Sequence, residues 1–62
     1  MPLISVEATH MSKEVKEKLC RRLTRDASEI MGIPEAAFMM FVKEYPTDSI
    51  ATGGVTLENK SK

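Results

Sequence analysis

Apolar and polar side chains alternate from Leu3 to Thr9, with Ile4, Val6 and Ala8 on one face and Leu3, Ser5, Glu7 and Thr9 on the other. That two-residue period predicts a β-strand, and His10-Met11 then reads as a short connection. From Lys13 to Met31 the period changes to about 3.6, and Val15, Leu19, Cys20, Leu23, Ala27, Ile30 and Met31 form one helical stripe. Ser12 is placed to cap this helix, Gly32 to end it, and Pro34 forbids its continuation. Phe38 to Val42 is apolar on both faces, with Phe38, Met40 and Val42 on one side and Met39 and Phe41 on the other, the pattern of a parallel strand covered twice. Lys43 to Asp48 reads as the exit from that strand through a turn at Pro46, and Gly53-Gly54 as a tight turn. Leu57 to Lys62 reads as a polar, fraying tail. Strand, long helix and strand in that order predict an α/β fold: one β-α-β domain over residues 1–62, its parallel strands joined by a right-handed crossover.

A single helix covers one face of such a sheet. The second apolar face needs another chain. Sixty-two residues with one cysteine and no Cys/His cluster leave neither an internal disulfide nor a structural metal to staple the fold, and small chains of that kind oligomerise. We therefore expect an obligate oligomer. Nine basic and nine acidic residues give zero net charge, which removes any general attraction to nucleic acid or an anionic membrane. With no apolar run suited to a signal or a membrane span, a cytoplasmic location is expected. Lys18, Arg22 and Arg25 on the outer helix face resemble a basic stripe. However, Glu14–Lys18, Glu17–Arg21, Arg22–Asp26 and Arg25–Glu29 are spaced as opposite-charge pairs, which describes a solvated face better than a phosphate site.

The candidate chemistry lies at the start. Initiator methionine is usually removed before a small residue, and its loss from Met1-Pro2 would leave Pro2 as a free secondary amine at the head of a strand. An α-amino group has a reference pKa of about 8, close enough to neutrality for burial or a nearby cation to make it a general base. With Met1 retained the same nitrogen is an amide without basicity. The plain alternative is a proline that merely begins a strand, where no ladder N–H is needed.

Pro2 behind the initiator, the short first strand, Ser12-Lys13-Glu14-Val15-Lys16-Glu17-Lys18-Leu19 opening a long helix, Pro34 before strand two and Gly53-Gly54 near the end together resemble the 4-oxalocrotonate tautomerase family over essentially the whole chain. The resemblance implies a β-α-β subunit, a dimer with a four-stranded sheet and two helices, and a hexamer of three dimers, here expected to be a homohexamer. It also implies cofactor-free, metal-free tautomerisation of a small enolisable keto acid, resembling 2-hydroxymuconate or phenylenolpyruvate, with Pro2 shuttling the proton. Such chemistry needs a neutral amine in a dry pocket and a group that stabilises the enolate oxygen.

The chain departs from the family where that stabilisation is made. The family's loop arginine falls at His10 or Met11, its strand-two arginine at Met39, and its pocket-closing aromatic at Ile50. Methionine cannot reproduce bidentate carboxylate recognition, so fewer carboxylate contacts are expected. His10 is then a candidate proton donor or acceptor, Lys43 a candidate cation, and Met39 and Ile50 an apolar wall. The ordinary roles of these residues are an exposed loop histidine, a solvated lysine and packing. Two alternatives stay open: a hydratase or dehalogenase with a water-activating acid, for which Glu7 is the only strand-one carboxylate but lies opposite Pro2, and a non-catalytic subunit of a mixed assembly.

Overall fold

The computed structural model describes residues 2–60; Met1 and residues 61–62, the end of the expected tail, lie outside them. Strand β1 spans Leu3–Thr9, helix α1 Lys13–Met31 and strand β2 Met39–Tyr45; a small hairpin, β3 (Ala51–Thr52) and β4 (Val55–Thr56), leads into the short helix α2 (Leu57–Lys60). β1 and β2 pair in parallel, in register from Leu3 opposite Met39 to Thr9 opposite Tyr45. The β-α-β arrangement is therefore as the pattern predicts.

Local chemistry sets the ends of α1. The Ser12 hydroxyl accepts the Val15 N–H at 3.2 Å, satisfying one of the helix's orphan donors. At the other end Gly32 adopts φ 69°, and its N–H and that of Ile33 both reach the Ser28 carbonyl, at 2.9 and 3.3 Å. A Cβ on Gly32 would meet nothing within 4 Å, so the requirement for glycine is one of backbone conformation alone. Gly32→Ala is expected to cost about 1–2 kcal/mol, and Gly32→Asn less, because asparagine tolerates the left-handed region. Urea denaturation at fixed protein concentration measures both; equal midpoints for alanine and glycine would refute the cap.

β2 begins one residue later and ends three residues later than the apolar run suggests. Phe38 donates its N–H to the Glu35 carbonyl at 3.0 Å, closing a 3₁₀ turn over Glu35–Ala37, and so stays out of the ladder. Lys43, Glu44 and Tyr45 remain in it because β1 offers backbone partners as far as Thr9; Pro46, without an N–H, then stops the strand. Hydropathy reports which side chains are covered, not where backbone pairing ends. The tail also differs: Leu57 donates to the Ile50 carbonyl at 2.8 Å, and residues 57–60 form α2 instead of fraying. Gly53 and Gly54, at φ 61° and 84°, make the two-residue turn between β3 and β4.

Exposure alternates strictly along β1. Ile4, Val6, Ala8, Met40 and Val42 are half-buried on the helix side, together with Leu19, Cys20, Leu23 and Ala27 of α1. The ends of the helical stripe lack cover in the single chain: Val15 and Met31 are exposed, and Ile30 is 84% exposed. None of the four helix charge pairs closes to ion-pair distance among the described residues.

The far side of the sheet is open. Leu3, Met39 and Phe41 stand exposed on it, and none of the described residues is fully buried. The radius of gyration is 14.9 Å, against about 10.5 Å for a compact chain of this length. The accessible surface is 4774 Å², against about 4,000 Å² for a compact monomer of this mass. That excess is comparable to one partner's share of a standard protein interface.

Candidate functional site

Pro2 is half-buried just ahead of β1, and its carbonyl accepts the Met39 N–H at 3.0 Å. That bond joins the amino end of the chain to the first residue of β2 and brings two of the predicted site residues side by side. Pro2 loses nothing by lacking an N–H here. Met39 carries its side chain on the open face, beside Leu3 and ahead of Phe41, which makes the surroundings of this end apolar.

His10 lies at the opposite end. Eight residue steps separate it from Pro2, roughly 26 Å along a strand rising about 3.3 Å per residue. Its side chain is 90% exposed, and its Nδ1 lies 3.2 Å from the Glu44 carboxylate. Glu44 also accepts the Met11 N–H at 2.8 Å and the Lys16 ammonium at 2.7 Å. The Lys16 hydrogen bond, then the Met11 N–H, hold the Glu44 carboxyl below its ordinary value; partial burial opposes them, and the charges of Lys16 and His10 add to them.

Lys43 stands on the open face opposite Glu7 in the strand register. Two residues on, the Tyr45 hydroxyl donates to Glu7 Oε1 at 2.6 Å. That bond, with burial and the charge of Glu7, raises the tyrosine above its usual value, so the hydroxyl stays protonated and donating at neutral pH. Glu7 and Tyr45, with Ala8, Ser49, Ile50 and Ala51, line a pocket of about 430 Å³ beyond the carboxyl ends of the two strands. Ligands of open α/β sheets commonly bind at that end. Of the predicted substrate-binding residues Ile50 alone lies in this pocket, together with Glu7, the acid considered for a hydratase or dehalogenase. Tyr45 and Ser49 escape the sequence reading because it ends β2 at Val42; carrying the strand's parity on to Tyr45 puts that residue on the face of Glu7.

Within one chain the predicted residues thus fall into two groups. Pro2 and Met39 stand at the amino ends of the strands, His10 and Ile50 stand beyond the carboxyl ends, and Lys43 lies between. The length of β1 prevents the two groups from meeting within one protomer. A site containing both Pro2 and His10 requires a second chain. A larger groove of about 660 Å³ runs between α1 and the 3₁₀ turn, lined by Lys13, Lys16, Cys20 and Arg21 among others, and holds none of the predicted residues. Among the described residues no His, Cys, Asp and Glu side chains group as metal ligands, and no helix is long and apolar enough to cross a membrane.

The tautomerase enzyme family model matches residues 2–60 of the chain. No curated protein matches it. Among solved structures, TomN, a 4-oxalocrotonate tautomerase homologue in the tomaymycin biosynthetic pathway, superposes with a TM-score of 0.93 at 30% identity, covering 97% of this chain and 94% of TomN. The 4-oxalocrotonate tautomerase homologue TTHB242 gives 0.87 at 32% identity, with 95% of each chain covered. A heterohexameric 4-oxalocrotonate tautomerase from Chloroflexus aurantiacus J-10-fl gives 0.89 at 25% identity, covering 94% of this chain and 95% of the other. Parallel strands flanking one long helix, a family match that begins at Pro2, and near-complete superposition on these relatives lead to one conclusion: the chain belongs to the 4-oxalocrotonate tautomerase family of the tautomerase superfamily.

Proposed function

We propose that the chain is a cofactor-free keto–enol tautomerase of a small enolisable keto acid, with Pro2 as its general base once Met1 is removed. The observation that carries this reading is the position of Pro2: half-buried at the head of β1 and bonded through its carbonyl to Met39, the first residue of β2. Cover from a second chain over this end of the sheet would dry the amine and disfavour its protonated form. Pro2 takes the enol proton and returns it to the conjugated carbon, so the substrate gains and loses nothing overall. In this reading His10 and Ile50 reach the pocket from a neighbouring copy, while Met39 forms its wall and Lys43 offers a cation near the acid's carboxylate. Self-association is supported by the uncovered sheet face and by the hexameric relative.

Intact-mass analysis of the protein, followed by ¹⁵N NMR titration of the Pro2 nitrogen, tests the reading. The expected results are loss of Met1 and deprotonation near neutrality. A retained Met1 would block the amine and favour the second reading, a silent subunit of a mixed assembly, to which the heterohexameric relative gives a precedent.

A further inference from the structure

We infer that Glu44 is a positioning residue: through one carboxylate it presets the β1–α1 connection, and with it His10, for the composite site. This rests on the tautomerase reading above and adds to it the device that holds the far group of residues in shape.

Glu44 occupies an inward-facing position of β2, in line with Met40 and Val42 and opposite Ala8. An apolar residue is expected there. The carboxylate instead gathers two hydrogen-bond donors from the segment that follows β1, the Met11 N–H on Oε2 and Lys16 Nζ on Oε1, and His10 Nδ1 lies 3.2 Å from Oε2. The backbone donor belongs to the residue just before the helix cap, where no ladder or helix bond is available to it. The negative charge also lies near the amino end of α1, where the helix dipole favours it. Glu44 is only 24% exposed, so its bonds meet less competition from water than those of a surface pair. Next to it, Tyr45 ties the other face of β2 to Glu7 of β1. These neighbouring residues, one on each face, fix the point at which β1 gives way to the connection, beside the pocket that contains Ile50.

Charge on Glu44 is what does this work, and the groups facing it are His10 and Lys16, with the Met11 amide. Its carboxyl is held below the ordinary value of 4.5, so the clamp is complete above that pH and is lost as the pH falls through the lower folded value.

Glu44→Gln and Glu44→Ala, compared with wild type in phenylenolpyruvate turnover, test the inference. Glu44→Ala is expected to raise KM about tenfold with kcat changed less than twofold, and to speed hydrogen exchange at the Met11 amide. Glu44→Gln keeps the shape and an acceptor oxygen; it should fold, show a smaller KM increase, and lose the acid-side rise in KM expected of wild type as the Glu44 carboxylate is protonated, below its ordinary value. Unchanged KM and an unchanged acid limb in folded Glu44→Gln would overturn the positioning role, leaving Glu44 a structural staple. Absence of turnover in wild type would overturn the tautomerase reading, and the positioning role with it.

Discussion

Replacing Pro2 with alanine is expected to lower turnover of phenylenolpyruvate or 2-hydroxymuconate by about 10²- to 10⁴-fold, the usual contribution of a positioned general base. The substitution keeps a free amino terminus but exchanges a ring-constrained secondary amine for a flexible primary one. The carbonyl that receives the Met39 N–H is retained, so β1 should keep its register on β2. The loss should therefore fall on kcat, with the fold and the assembly intact. The decay of the enol's ultraviolet absorbance measures it, with circular dichroism and sedimentation as controls. Turnover equal to wild type in a variant of normal mass would remove Pro2 from the chemistry.

Phe41→Asp is expected to have the larger effect on the molecule as a whole, by preventing assembly. Phe41 is 48% exposed at the middle of the open sheet face, opposite Ser5 and flanked along the strand by Met39 and Lys43. Burying such a side chain is worth roughly 1.5–3 kcal/mol. An unpaired carboxylate in its place carries a desolvation penalty of several kcal/mol. In a symmetric assembly every copy bears that penalty, so a modest cost per chain becomes decisive. Sedimentation velocity should show a shift from a multi-subunit species to monomer, with a lower unfolding midpoint. Unchanged mass and stability would mean that this face is not where copies meet.

The two effects are linked by geometry. The amine at one end of β1 and the His10 connection at the other are separated by the whole strand, so losing the assembly should also abolish turnover in Phe41→Asp even though Pro2 is untouched.

The long helix and the first strand are legible in the chain because each is encoded by local periodicity and by end signals: Ser12 and Gly32 for α1, and the alternation from Leu3 to Thr9 for β1. The resemblance that places the chain in its family is legible for the same reason, since it consists of residue types at spacings. The unsatisfied second face is legible too, because Met39 and Phe41 are apolar on the side that one helix cannot reach.

The extent of β2 is different. Its final residues, Lys43, Glu44 and Tyr45, are polar and look like an exit; they are held in the ladder by β1, a partner more than thirty positions away. That extension places Glu44 under the amino end of α1, against Met11 and Lys16, and turns Tyr45 onto Glu7. Local sequence determined the elements and their amphipathic faces, because propensity, capping and period act over a few residues. Only the tertiary structure decided which carboxylate meets which donor and which predicted residues stand together, because those pairings depend on strand register, a long-range property that no short window of sequence contains.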